Sequence, residues 1–402
     1  MLPALIWQKQ GGLASMRNVA EDPPAVPLLD INRENRLVRD EIQQAMARVC
    51  DQGCFLHGDE VRKLEAALAA RCGVPHAISC ASGSDALLLA LMAHEIGPGD
   101  EVILPSFTFF ATAGAVWRLG AQPIFVDIDP VTYNLSPALV EAAITARTRA
   151  VIPVHLFGRC AEMQAIVEIA QRHQILVVED AAQAIAAVHR DRAAGAWGDI
   201  GCFSFYPTKN LGGFGDGGML TTGDEATAER LRLLAAHGMQ PRYYHSHVGI
   251  NSRLDTLQAA VLNVKEGQLD RLTDRRRANA ARYRDWFAAA VDATQLVLPE
   301  EDASGFHVWN QFTVRVPGGR RDALRSFLQE RRIGTEVYYP VPLHQQVCFA
   351  DLGYGPGSLP HTETAAAEVL SLPVFPELSE AEQHAVVTGV TEFFAASSRA
   401  VA

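Results

Sequence analysis

Ile175-Leu176-Val177-Val178-Glu179-Asp180-Ala181-Ala182-Gln183 reads as a buried strand that ends in an acid. Four apolar residues in a row, with no polar alternation, mark a strand covered on both faces, as in a parallel sheet. The same unit repeats on the N-terminal side. Residues 77–80, 101–104, 123–127 and 150–155 are strand-like. Residues 84–96, 108–119, 137–146 and 163–173 have helical spacing between them. Ser136 and Pro137 suit the cap and first position of one of these helices. Alternation of this kind predicts an α/β fold with a mainly parallel sheet between helices, and a ligand site beyond the carboxyl ends of its strands. Residues 79–84, 105–109, Asp127, His155 and Asp180 fall at those ends.

After Gly201 the pattern changes. Residues 201–206 and 218–222 read as two strands joined by a glycine-rich segment. One long amphipathic helix is expected over 255–290. A strand at 311–316, a helix at 322–332, a proline-rich turn at 339–343 and a helix from Glu380 follow. The expected division is a flexible extension at 1–25, a large α/β domain at 26–255 and a smaller α+β domain at 256–402.

Composition narrows the function. The 402 residues are 48% hydrophobic and 20% charged, with net charge −11 and no basic stripe, which argues against nucleic acid as a partner. The arginines of 271–284 read as the solvated face of a helix. No run of eighteen apolar residues is present, so no membrane span is expected. Seven scattered cysteines without a C-x-x-C pair suit reduced thiols in a cytoplasmic protein. His245 and His247 lack a third nearby ligand, and no metal is expected.

Four features carry chemistry. Ala81-Ser82-Gly83-Ser84-Asp85-Ala86 follows a strand and opens a helix, so its backbone N–H groups suit a phosphate. Asp180 suits either a turn or a buried cation such as a pyridinium nitrogen, with Gln183 three residues on. Pro105-Ser106-Phe107-Thr108-Phe109-Phe110 offers one aromatic for a cofactor ring and two for the core. Lys209 is one of only four lysines, with Lys9, Lys63 and Lys265. It lies between aromatics and Gly212-Gly213, where desolvation favours the nucleophilic neutral amine. Ser204, five residues earlier, suits a phosphate. Together these describe a pyridoxal-phosphate (PLP) site. Gly213-Phe214-Gly215-Asp216-Gly217-Gly218 matches the dinucleotide fingerprint literally, but a strand follows it instead of a helix.

Over residues 27–382 the chain resembles the DegT-type, PLP-dependent sugar aminotransferases of fold type I. The resemblance rests on residues 82–87, 97–102, 105–109, 153–158, 178–183, 203–210, 215–218, 251–260, 339–344 and 370–373. It implies that Lys209 holds PLP and that Asp180 pairs with the ring nitrogen. Phe109 would stack on the ring and Gln183 would lie by its hydroxyl. Gly83, Ser84, Asp85 and Ser204 would bind the phosphate. Asn251 would reach the cofactor of a second subunit in a homodimer with shared sites. Tyr338 and His344 would line the sugar pocket. The implied reaction moves an amino group from an amino acid, L-glutamate by expectation, to a nucleotide-linked keto sugar, with a lean toward a 3-keto hexose. Pyridoxamine phosphate would form on the way. Alternatives are a keto-inositol aminotransferase and a PLP-dependent sugar dehydratase. The dehydratases of this family carry histidine where this chain has Lys209. A regulatory protein on the same fold is the non-enzyme alternative.

Overall fold

The computed structural model describes residues 26–401. The expected extension at 1–25, with Lys9, lies outside the described residues. Seven strands form the main sheet: β1 (His76–Cys80), β2 (Glu101–Pro105), β3 (Gln122–Val126), β4 (Thr148–Val151), β5 (Leu176–Asp180), then β8 (Ile200–Ser204) and β9 (Gly218–Thr222). Between β5 and β8 lie the short β6 (Val188–His189) and β7 (Arg192–Ala193). The sheet order is β1-β9-β8-β5-β4-β2-β3. Adjacent pairs from β8 to β3 are parallel, and β9 alone runs against both its neighbours.

The strands are apolar because helices cover both faces. On one face the helix Gly83–Ala93 buries Leu87, Leu89 and Leu91 against Ile78, Val102 and Val178. On the other, the helix Met163–His173 buries Ile166 and Ile169 against Ile103, Val151 and Val177. Each such leucine or isoleucine contributes about 1.5–3 kcal/mol by leaving water.

The C-terminal part packs around β11 (Phe312–Arg315), which pairs antiparallel with β12 (Val369–Leu372); between them and β9 comes β10 (Gly305–Phe306). Val314, Leu324, Leu328, Leu370, Val386 and Val390 share this core with Tyr283, Phe287 and Val26.

Several expectations change. The long helix is two helices, Thr256–Glu266 and Leu269–Ala290, separated at Gly267, the residue type that holds helix least well apart from proline. The strand expected over 150–155 is β4, which stops at Val151. His155 lies beyond it, wholly buried. The arginine run is not all solvated, since Arg276 is buried. Lys265 is likewise buried, and pairs with Glu34 at 3.0 Å. Ser136 caps the helix Pro137–Ala143 by position, with Pro137 at its start, but its side chain makes no capping bond.

Candidate active site

The carboxyl ends of β1, β2, β5 and β8 surround a cavity of about 750 Å³. Its position follows from the sheet, because parallel strands end together and the segments leaving them form one rim. Ser84, Phe109, Asp180, Gln183, Ser204 and Lys209 all line it.

Lys209 sits in the segment between β8 and β9. The strand pair continues past its ends, with Phe205 N–H donating to Gly217 O and Gly213 N–H to Phe205 O, both at 2.8 Å. Lys209 N–H donates to Tyr206 O at 2.8 Å. Burial lowers the Lys209 amine from 10.5 to about 8, with the Asp180 charge acting in the opposite direction. The amine is therefore much closer to half-neutral than a surface lysine.

Asp180 ends β5 and is buried. One carboxylate oxygen accepts from the Thr112 hydroxyl at 2.7 Å and the other from Ala182 N–H at 3.2 Å. Burial raises its pKa; the Thr112 and Ala182 hydrogen bonds and the Lys209 charge pull it down. Gln183 accepts from Phe157 N–H at 2.7 Å and donates to the Tyr339 hydroxyl at 3.3 Å.

The phosphate cradle is set by close backbone approach. Ser82 caps the helix Gly83–Ala93, accepting from Asp85 N–H at 3.1 Å. Gly83 and Ser84 line the cavity at the helix start, where N–H groups have no acceptor one turn back. A Cβ on Gly83 would lie 2.6 Å from Ser204 Cβ, and one on Gly218 would lie 2.5 Å from the Ser82 carbonyl. Only glycine brings the helix start this near to β8 and β9.

The three aromatics divide their work. Phe107 is wholly buried, Phe110 stacks on Phe349 with ring centres 5.6 Å apart, and Phe109 is 58% exposed on the cavity. Tyr338 also lines the cavity.

Three expected residues stand elsewhere. The Asp85 carboxylate accepts from Ser252 Oγ at 2.7 Å, and Asp85 does not line the cavity. His344 is buried beside it: Ser106 Oγ lies 2.7 Å from Nδ1 and Glu363 Oε1 lies 3.2 Å from Nε2. Both ring nitrogens are thus occupied by protein groups, and His344 does not line the cavity. Asn251 is exposed outside the cavity. Thr112 and Tyr339 were missed. Tyr339 adjoins Tyr338, and Thr112 opens the helix that follows Phe110, so both had positional signals.

These groups fit PLP: a helix start for a phosphate, a buried acid for a ring nitrogen, an exposed aromatic face and a desolvated amine. Among the described residues no group of three His, Cys, Asp or Glu is placed to hold a metal.

The sequence profile of the DegT/DnrJ/EryC1/StrS aminotransferase family matches residues 37–391. A Geobacillus stearothermophilus protein named pleiotropic regulatory protein is 51% identical over 92% of this chain and 98% of its own. The UDP-N-acetyl-3-dehydro-alpha-D-glucosamine 3-aminotransferase of Acidithiobacillus ferrooxidans is 46% identical over 90% of this chain and 96% of its own. The crystal structure of S. venezuelae DesV, in complex with a ketimine intermediate, superimposes with a TM-score of 0.89 at 46% identity, covering 92% of this chain and 98% of that one.

Proposed function

Because this chain belongs to the DegT/DnrJ/EryC1/StrS aminotransferase family, we propose that it moves an amino group from L-glutamate to a keto group of a nucleotide-linked sugar, a 3-keto hexose. The observation that carries this reading is the desolvated Lys209 amine sharing a cavity with buried Asp180 and the start of the helix Gly83–Ala93. The 3-keto assignment draws support from the substrate named for the Acidithiobacillus relative.

The enzyme uses PLP, which when bound supplies an electron sink for charge developing on the carbon that carries the transferred nitrogen. Lys209 Nζ would hold the cofactor and, when free, accept and return a proton, a task suited to an amine brought down to about 8. Asp180, oriented by Thr112, would hold a proton on the ring nitrogen. Gly83, Ser84 and Ser204 would bind the phosphate. Phe109 would cover one ring face and Gln183 would lie by the ring hydroxyl. Tyr338 would meet the sugar.

We also read the chain as a homodimer. Asn251 is exposed outside its own cavity, and Tyr243, Tyr244 and Val248 on the segment before it are exposed as well. A second copy seated there would cover them, with Asn251 reaching that copy's phosphate. Among the described residues no helix is long and apolar enough to cross a membrane, and we assign the enzyme to the cytoplasm.

The test is spectral and isotopic. PLP added to the purified protein should give the absorbance of a lysine-bound cofactor, lost in Lys209→Ala together with about 10³-fold or more of turnover. An unchanged spectrum in that variant overturns the assignment. A panel of nucleotide keto sugars with ¹⁵N-glutamate should yield one labelled amino sugar. Deoxysugar without label would mean dehydration. PLP binding with no transfer to any acceptor would favour the regulatory role suggested by the Geobacillus name.

A further inference from the structure

A smaller cavity of about 50 Å³ adjoins the main one and shares Thr208, Gln311 and Tyr338 with it. Arg276, on the helix Leu269–Ala290, lines this side pocket and is 3% exposed. Among the described residues its guanidinium makes no hydrogen bond and no ion pair. The two acids whose charge it feels, Glu34 and Glu377, already have cations of their own. Glu34 pairs with Lys265 at 3.0 Å and Glu377 Oε1 with Arg275 at 3.1 Å, while Glu377 Oε2 is buried with no hydrogen bond among the described residues, so three cations stand here against two acids. Arg276 is therefore a surplus buried charge, and an arrangement of that kind costs stability unless something completes it.

The chemistry of the missing group follows from the pocket. A guanidinium presents a planar fork of donors that matches a carboxylate with two parallel bonds. The volume admits a carboxylate but no sugar ring, against roughly 10–15 Å³ for the least space that holds one water. Gln311 Oε1 is also buried without a partner among the described residues, so its amide can turn either face to a ligand. Lys209 lines the main cavity and not the side pocket. The α-carboxylate of an amino acid stays one bond from the reacting carbon, hence beside Lys209. The carboxylate at the far end of an acidic side chain reaches beyond it.

We propose that Arg276 binds the side-chain carboxylate of an acidic amino-acid donor, so that the side pocket selects the donor. This rests on the aminotransferase reading above. The experiment uses the PLP-loaded enzyme and glutarate, a dicarboxylate without an amine, titrated by calorimetry. Wild type should bind glutarate, Arg276→Gln should weaken it about 10–100-fold, and Arg276→Lys should restore part. The single-turnover reaction with glutamate should fall by the same factor in Arg276→Gln, and that with glutamine by clearly less, since only glutamate loses a charge-assisted pair. Equal glutarate affinity in wild type and Arg276→Gln overturns the proposal. Should Arg276→Gln fail to fold, wild type alone decides, since glutamate must outreact its neutral isostere glutamine by about tenfold or more; parity overturns it. A Lys209-dependent spectrum that no amino acid alters would instead overturn the aminotransferase reading, leaving glutarate binding still measurable.

Discussion

Glu179 and Asp180 are chain neighbours on one strand, both buried, and they are treated in opposite ways. Glu179 points away from the cavity and accepts four hydrogen bonds. His155 Nε2 lies at 2.8 Å, and the N–H groups of Gly195, Trp197 and Gly198 at 2.8, 2.7 and 2.8 Å. His155 itself is fixed because its Nδ1 accepts from Ala161 N–H at 3.1 Å, which leaves Nε2 to donate. Asp180 points at the cavity and has two such bonds. Burial is thus a poor guide to function by itself. What separates a structural acid from a reactive one is how many of its lone pairs the protein has already claimed.

Exchanging each acid for its amide tests that difference most strongly at Asp180. Asp180→Asn keeps an acceptor for Thr112 and sets its amide nitrogen against one N–H, that of Ala182, so it should cost only about 1 kcal/mol of stability, while turnover falls about 10³-fold; steady-state kinetics beside thermal unfolding would show the split. Glu179→Gln should do the reverse. Its amide nitrogen would face two N–H donors, costing about 3 kcal/mol, with turnover per folded molecule retained. Equal loss of stability in both variants would break the distinction.

Lys209 sharpens it from the other side, since the cavity face gives up stability for reactivity. A drop from 10.5 to about 8 spans 2.5 units, or about 3 kcal/mol. The folded pKa is the lower one, so this cost is full below pH 8 and fades as the pH rises toward 10.5. In the cofactor-free protein Lys209→Met should be more stable than wild type at pH 7 by about that amount, with the gap closing by pH 10.5. A gap that does not change with pH would refute it. The smallest effect is expected at His344. His344→Phe strips Ser106 and Glu363 of a partner at about 1–2 kcal/mol, and should leave the KM for donor and sugar where they were.

Much of this was legible in the sequence because period and position encode it. The apolar run before Asp180, the glycines after Lys209 and the small residues that open a helix at 82–84 each announce a backbone geometry, and backbone geometry decides what stands at a strand end. Side-chain direction beyond the strand ends is not encoded that way. Asp85 and His344 lie in matching motifs, yet each turns to a neighbour distant in the chain, Ser252 and Glu363. Arg276 and Lys265 sat in charged helical runs that look solvated, and only the partners brought by the fold, Glu34 among them, show that they are interior. The break at Gly267 left the apolar spacing nearly undisturbed, so it was hidden as well.

The reversal of β9 has a consequence for motion. The segment that carries Lys209 is tied at both ends into an antiparallel pair whose hydrogen bonds run on past the strands. A segment so tethered has less freedom to open than an unpaired loop, whereas the four methylenes of the lysine keep their rotatable bonds. In the role proposed for Lys209, a proton on Nζ would therefore be moved by rotation of the side chain and not by movement of the backbone that carries it.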